Sequence, residues 1–311
     1  MPPIGVHFTT RQAQDAVADV GLVRLWDNGV TWKDIAVGPG HYEWDLLDHL
    51  VFERYKGKNI TYTVAACPQW AAQKPNASHY APWLGPGTNS LPKDWDHDFK
   101  PFIWELSTRY AGHINAYELY GNEPQLVDFL AKDHWNDKGL NQLADLIKIG
   151  ARIIKGNDPK AVIGSPALLP RDSSGGMKKA GKVLDAIKRR DAHKSIDFWT
   201  THIYPEVGKG RKRWTNMFNA VKDELKKRNM PNANKIRVTE TIFGLLGPEI
   251  PDDKVYQLIR DTYYHHPKTW IYWYAFDRVD LNGNGTGSGF QIDHNRVAWQ
   301  AIKKYHDAFN K

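Results

Sequence analysis

Short runs of apolar and β-branched residues recur along this chain of 311 residues, and helix-like segments separate them. Each run is almost continuously apolar, which is typical of parallel strands covered on both faces. The predicted strands are residues 4–8, 22–26, 59–66, 116–120, 161–165, 198–203, 235–239 and 270–275. The predicted helices are residues 11–20, 43–56, 99–111, 140–155, 178–190, 214–228, 252–264 and 296–309. Strands that alternate with helices in this way predict an α/β fold, a single (β/α)8 TIM barrel that occupies residues 1–311 as one domain.

A glutamate follows each of two predicted strands. Glu123 follows the fourth strand and precedes Pro124, which cannot continue a strand ladder, and Glu240 follows the seventh strand. These strands face each other across the mouth of an eight-stranded barrel, so the two carboxylates would converge on one site. Glycoside hydrolysis needs such a pair, because one carboxyl protonates the leaving oxygen while the other acts at the anomeric carbon. The alternative is that both glutamates form ordinary surface ion pairs at the rim.

The longest predicted loop, residues 67–98, follows the third strand and carries several prolines and aromatic residues, Trp70 among them. Loops after barrel strands lie on the catalytic face. Flat apolar rings suit the faces of sugars, so we expect this loop to be ordered and to form a wall of the binding cleft.

The net charge of the chain is +7, and its densest basic run, residues 209–213, is predicted to lie in a loop. Such a loop would suit an acidic polymer. Nucleic-acid binding is an alternative that rests on net charge alone, and no recognition motif supports it, so we predict no nucleic-acid partner.

Composition restricts the compartment only weakly. The chain is 41% hydrophobic and 25% charged, as in ordinary globular proteins, and a lone cysteine, Cys67, excludes an intramolecular disulfide. No apolar run approaches the roughly 20 residues of a membrane span, so we expect no membrane partner. We expect a monomer. Localisation stays open, with a secreted protein that has lost its signal peptide as one possibility.

Three stretches together resemble the clan A glycoside hydrolases, and within that clan family 39 and related cellulase-like proteins: residues 26–35, residues 42–45 and residues 117–124. The similarity runs from the first strand to the last. It implies a TIM barrel whose acid/base and nucleophile stand on the fourth and seventh strands.

The resemblance also implies a role for each matching residue. Glu123 would be the general acid/base and Glu240 the nucleophile, while Asn122 would hydrogen-bond the sugar 2-hydroxyl. Arg24, inward-facing on the second strand, would hold Glu240 ionised. Burial and the nearby negative Glu240 would raise the pKa of Glu123 so that it is protonated before reaction.

Further residues match supporting positions of the clan. His202 and Tyr204 resemble its His-x-Tyr motif, in which the tyrosine hydroxyl contacts the nucleophile, and Trp273 resembles the tryptophan that floors the subsite of the attacked sugar. Trp26 and Asn28, at the end of the second strand, are candidate substrate contacts. Packing alone is the alternative for Tyr204 and Trp273. For His202 the alternative is a satisfied core histidine, and for Arg24 it is a pair with a structural carboxylate.

These features predict a retaining, endo-acting glycoside hydrolase that cleaves β-linked oligo- or polysaccharides, acidic ones included, without a cofactor or metal. The segment 280–285 imitates the start of a calcium loop, but Gln291 stands where a bidentate glutamate belongs. An exo-acting β-xylosidase-like enzyme and a catalytically silent carbohydrate-binding barrel are the alternatives.

Overall fold

Eight parallel strands close into a barrel in the computed structural model of the protein. The structure describes residues 4–7, 21–26, 28–81, 84–171, 175–205, 210–241, 252–266 and 268–274. In chain order the strands are β1 (Ile4–His7), β2 (Leu22–Leu25), β3 (Ala36–Gly38), β4 (His41–Tyr42), β5 (Asn59–Val64), β6 (Ile114–Leu119), β7 (Val162–Leu168), β8 (Phe198–Ile203), β9 (Ile236–Thr241) and β10 (Trp270–Tyr274). The barrel order is β1-β2-β5-β6-β7-β8-β9-β10, and β10 pairs with β1 to close it. The predicted (β/α)8 fold class is confirmed.

Helices alternate with these strands. They are α1 (Trp32–Ile35), α2 (Asp45–Asp48), α3 (Lys100–Arg109), α4 (Asp137–Asn157), α5 (Gly176–Arg189), α6 (Gly210–Lys227) and α7 (Asp252–His265). A π-helical segment, His49–Arg54, continues α2, and another, Trp95–Phe99, precedes α3. In the described part of the chain, no helix is long and apolar enough to cross a membrane.

The sequence of α4 shows why these helices form and dock. Asn136 caps its first turn, because its side-chain oxygen accepts a bond of 2.9 Å from the backbone N–H of Gly139. Leu140, Leu143 and Ile147 then recur at helical spacing and are buried against the barrel. The apolar stripe covers the outer face of the strands, which leaves the barrel interior for polar side chains.

Two local features differ from the sequence-based predictions. The small antiparallel hairpin of β3 and β4 was not predicted. The sequence predicts a loop for the basic run, but α6 begins at Gly210, so Arg211, Lys212 and Arg213 form its first turn. The helical spacing of Trp214, Met217 and Val221, all buried, extends the helix back into this run. The predicted helices 11–20 and 296–309, Lys209 and the calcium-like segment lie outside the described residues.

Candidate active site

One guanidinium, at the mouth of the barrel, forms hydrogen bonds with side chains from three other positions in its interior. Arg24, on β2, is fully buried. Its Nε donates to Glu118 Oε2 at 2.7 Å, its Nη1 to Glu240 Oε1 at 2.6 Å and its Nη2 to Asn122 Oδ1 at 2.9 Å. Because the guanidinium is planar and donates in a fixed fork, these bonds fix two carboxylates and one amide in a common frame.

A histidine stands between the two predicted catalytic glutamates. His202 Nδ1, on β8, lies 2.7 Å from Glu123 Oε1 and 3.5 Å from Glu240 Oε2. The hydroxyl of Tyr204 donates to the same Glu240 oxygen. Both glutamates are buried, Glu123 at 4% and Glu240 at 5% exposure. The structure therefore brings Glu123, Glu240, His202, Tyr204, Asn122 and Arg24 together as the sequence predicts.

The chain leaves β6 by an unusual backbone path. Tyr120 and Asn122 both adopt left-handed conformations, with φ of 52° and 63°. A Cβ on the intervening Gly121 would lie 2.4 Å from Thr63 Cγ2, so only glycine fits against β5 there. Such strain persists where the surrounding structure enforces it, and here it turns Asn122 and Glu123 inward over the barrel.

A β-bulge aims the second glutamate. Along β8, Thr201 pairs with Val238 while His202 pairs with Glu240; along β10, Ile271 pairs with Val238 while Trp273 pairs with Thr241. Strand β9 thus carries one extra residue between Val238 and Thr241. A bulge of this kind re-aims a side chain, and here Glu240 meets Arg24 and Tyr204 inside the barrel.

The spacing of the two carboxylates bears directly on chemistry. Glu123, His202 and Glu240 each place one ligand-type atom within 4.8 Å of the others. Retaining glycosidases hold their carboxyl groups roughly 5–5.5 Å apart, whereas inverting ones leave about 6.5–9.5 Å for a water molecule. The same three side chains are also the group, among the described residues, whose spacing would suit a metal ion.

The protonation of the pair differs from our expectation. Burial does raise the pKa of Glu123, but the charge and hydrogen bond of His202, a backbone hydrogen bond and the charge of Arg24 together outweigh it, and the net pKa is lowered. Burial lowers the pKa of His202, yet Glu240 and Glu123 raise it further, so the net pKa is raised. Without substrate, both directions favour the ion pair, in which the imidazole carries the proton and Glu123 is its carboxylate partner.

Sequence reasoning missed a third carboxylate. Glu118 is fully buried on β6 beneath the pair, where Arg24 and the hydroxyl of Thr63 each donate to its Oε2 at 2.7 Å. Burial raises its pKa, but Arg24, the Thr63 hydroxyl and His202 together outweigh burial and the net pKa is lowered, so the charged form of Glu118 is favoured. A charged residue inside an apolar strand run was the signal that could have found it.

Trp273 was predicted to floor the sugar subsite, and that prediction is wrong. Trp273 is 1% exposed, and its indole N–H donates to the hydroxyl of Tyr263 on α7 at 2.8 Å. Its strand neighbour Tyr272 instead reaches Thr61 Oγ1 on β5, 2.8 Å away across the interior. Successive strand residues point to opposite faces, so Trp273 lies on the outer face of β10.

The remaining aromatic candidates line the rim. Trp26 is buried and meets Phe129 edge to face at 6.1 Å, and its backbone N–H donates to Asn28 Oδ1 at 3.2 Å. Trp70 is half-buried, and its indole N–H donates to the carbonyl of Ala36 at 3.0 Å. Direct substrate contact by Trp26, Asn28 and Trp70 stays a prediction.

Comparisons with known proteins show the fold. The sequence matches no model of a known protein family and no curated protein. Solved structures match nearly the whole chain. An endo-β-1,4-mannanase from Thermotoga petrophila has a TM-score of 0.61 at 14% identity, covering 100% of this chain and 77% of its own. A glucosidase from Croceicoccus marinus has a TM-score of 0.69 at 14% identity, covering 98% and 68%.

A third structure, described as family 10 from Paenibacillus barcinonensis, has a TM-score of 0.61 at 15% identity, covering 98% of this chain and 95% of its own. At such low identity, these structures show that this protein has the TIM-barrel fold that glycoside hydrolases also have. The finer resemblance to family 39 gains no support from them.

Proposed function

We propose that this protein is a retaining glycoside hydrolase that cleaves β-linked polysaccharide internally, with Glu240 as nucleophile and Glu123 as acid/base. The observation that carries the proposal is the opposed pair of buried carboxylates, with oxygens within 4.8 Å of each other and unequal surroundings. Such inequality suits a pair in which one member gives a proton while the other attacks.

The first step would be attack of a Glu240 oxygen on the anomeric carbon. The bond from that carbon to the leaving oxygen breaks, and the proton shared by His202 and Glu123 passes through Glu123 to the leaving oxygen. Arg24 and Tyr204 orient Glu240 for this attack. Since an arginine can only donate, the Asn122 amide oxygen must face Arg24, and its NH2 group is left to donate to a sugar hydroxyl.

In the second step Glu123 would take a proton from water, which attacks the anomeric carbon and releases Glu240. Ester formation removes the negative charge of Glu240, and that charge is the strongest of the influences that raise the pKa of His202. The imidazole of His202 is therefore less basic in the covalent intermediate than in the free enzyme. The His202–Glu123 pair can thus serve first as acid and then as base.

The loop after β5 supports action on a polymer. In this loop, Ser90 Oγ lies 3.1 Å from His134 Nε2, and the backbone N–H of Tyr80 donates to Asp128 Oδ1 at 2.6 Å. These bonds tie the loop to the segment that follows β6, as expected of a fixed cleft wall. The neighbours include an endo-mannanase and a glucosidase, so the fold alone selects neither the sugar nor the cleavage mode.

The test is an assay of hydrolysis on a panel of xylans, glucans, mannans and acidic exopolysaccharides. The release of reducing ends and the size of the products are measured. Glu123→Gln and Glu240→Gln are the variants, and NMR of the first anomer released reports stereochemistry. We expect a ladder of oligomers from one polymer with the β-anomer formed first, and a loss of at least about a thousandfold in each variant. Monosaccharide as the sole product would establish the exo alternative. Binding without turnover by the wild type would establish the silent barrel.

A further inference from the structure

A cavity of about 600 Å³ opens at the end of the barrel opposite the carboxylates. It lies where β7, β8, β9 and β10 begin, between the strand starts and the helices α6 and α7. Six of its lining side chains are basic: Lys222, Lys235, Arg237, Lys268, His265 and His266.

Negative charge is scarce in this cavity. Asp197 is the carboxylate among its described lining residues. Its Oδ2 already lies 2.9 Å from Lys155 Nζ and accepts the backbone N–H of Ile163 at 2.9 Å. The lysines and Arg237 therefore keep an excess of positive charge inside a concave wall, which concentrates anions.

Arg237 has the geometry of an oxyanion receptor. Its guanidinium lies between two rings, with its central carbon 3.7 Å from the Phe198 centroid and 3.9 Å from the Trp270 centroid. Stacking on both faces fixes the plane and leaves only the edge for hydrogen bonds. Nη1 is buried and finds no partner among the described residues. A buried unpaired N–H of a charged group is costly, and an oxyanion would remove that cost.

His266 reports on the same cavity. Its ring packs at a tilt against Trp214 and Phe218, with centroids 4.8 and 5.1 Å away, and its Nε2 lies 3.1 Å from Thr215 Oγ1. Burial, followed by the positive charges of His265, Arg211 and Lys222, lowers the pKa of His266 to about 4. The imidazole is therefore neutral at pH 7, and a bound anion would raise its pKa.

We propose that this cavity is a binding site for an oxyanion, either a free one or the phosphate, sulfate or carboxylate group of a larger ligand. Planar guanidinium edges and ammonium groups recognise these oxygens by charge-assisted bonds. The site stands apart from the proposed catalysis, since the carboxylates lie at the other ends of the strands.

The experiment is titration of the whole protein with inorganic phosphate by calorimetry at low salt, with the His266 imidazole followed by NMR. We expect one saturable site and a rise in the pKa of His266. Lys222→Gln and Lys235→Gln should each weaken binding about tenfold, the loss expected for one charge-assisted bond. Lys226→Gln and Lys227→Gln, exposed on the same helix α6, are the matched controls and should bind as the wild type does.

Two results would overturn the proposal: no saturable binding by the wild type, or equal weakening by the pocket and control variants. Glu240→Gln should bind phosphate unchanged, and a loss there would move binding to the catalytic end. Failure of the hydrolysis assay leaves this test intact, because phosphate binding is measured directly. Parallel titrations with sulfate, glucuronate and a sugar phosphate identify the source, since the tightest of them names the group recognised.

Discussion

At the scale of single residues, Arg24 and His202 hold the two glutamates by different chemistry. Arg24 keeps its charge at any working pH, so the positive charge that it presents to Glu240 is constant. The two glutamates raise the pKa of His202 above its ordinary value, so the charge that it presents to Glu123 depends on pH. One partner fixes position, and the other carries a proton that can be moved.

Replacement of the imidazole should change stability in a pH-dependent way. The folded pKa of His202 is raised above its ordinary 6.5, so its ion pair stabilises the fold below about pH 6.5 and the contribution is lost as pH rises through the folded pKa. We expect His202→Gln to lower the free energy of unfolding by about 3 kcal/mol near pH 6, and by less near pH 9. Urea unfolding at both pH values measures this. The exposed His97→Gln is the control, and a deficit independent of pH would contradict the prediction.

Glu118 is predicted to be a positioning residue. Arg24 divides its charge between Glu118 and Glu240, so loss of the Glu118 charge should leave Arg24 to Glu240 alone and make that nucleophile weaker. We expect Glu118→Gln to reduce kcat about tenfold or more and to move the acidic limb of the kcat/KM profile to lower pH. Thr63→Val removes a bond to Glu118 but keeps its charge, so its acidic limb should stay in place. If the role of Glu118 were purely structural, both variants would be less stable, and the acidic limb of the kcat/KM profile would stay in place in both.

At the scale of elements, the end of β6 should be intolerant of a single methyl group. Gly121→Ala would press a Cβ against Thr63 Cγ2, so we expect a loss of about 1–3 kcal/mol in the free energy of unfolding together with displacement of Glu123. Unfolding and kcat, measured on the same preparation, test this.

Two variants control that prediction. Gly156→Ala, in α4, meets no atom within 4 Å and should stabilise by up to about 1 kcal/mol. Thr63→Ser keeps the hydroxyl that binds Glu118 and removes the clashing methyl, so adding it to Gly121→Ala should recover part of both losses. No recovery would mean that the clash is not the cause.

How far the sequence predicts an element depends on its pattern. The barrel strands were found because strands buried on both faces are apolar throughout. The hairpin of β3 and β4 was not predicted because its strands span only Ala36–Gly38 and His41–Tyr42, which are too short to show an alternation of apolar and polar residues. Strand β10 is aromatic on both faces, so its sequence could not say which way Trp273 points.

Side-chain partnerships were harder to predict than strand ends. Glu123 and Glu240 were foreseen because each follows a predicted strand, whereas Asn122, Arg24, His202 and Tyr204 were foreseen only because they match positions of the clan that the sequence resembles. Glu118 was overlooked because it lies inside a strand, where its role depends on a partner far away in sequence. The bulge in β9 was likewise not predicted, since an extra residue is defined only by how β9 pairs with its neighbouring strands.

At the scale of the whole molecule, the barrel carries opposite chemistry at its two ends. Carboxylates and their partners lie where the strands finish, and a cluster of basic side chains lies where β7 to β10 start. The proposed catalytic site and the proposed oxyanion site therefore share strands and no side chains. Because they are separate in this way, variants at one end can serve as controls for the other.

The three bonds of Arg24 also have a consequence for folding. They join residues 94, 98 and 216 positions away in the chain, and Glu240 stands on β9, close to the last closing strand. Contacts of such long sequence separation form late, because loop closure must come first. We expect hydrolytic activity to return no faster than the slowest refolding phase seen by tryptophan fluorescence. The catalytic pair would then be assembled by the same event that closes the barrel, and no partly folded intermediate would be active.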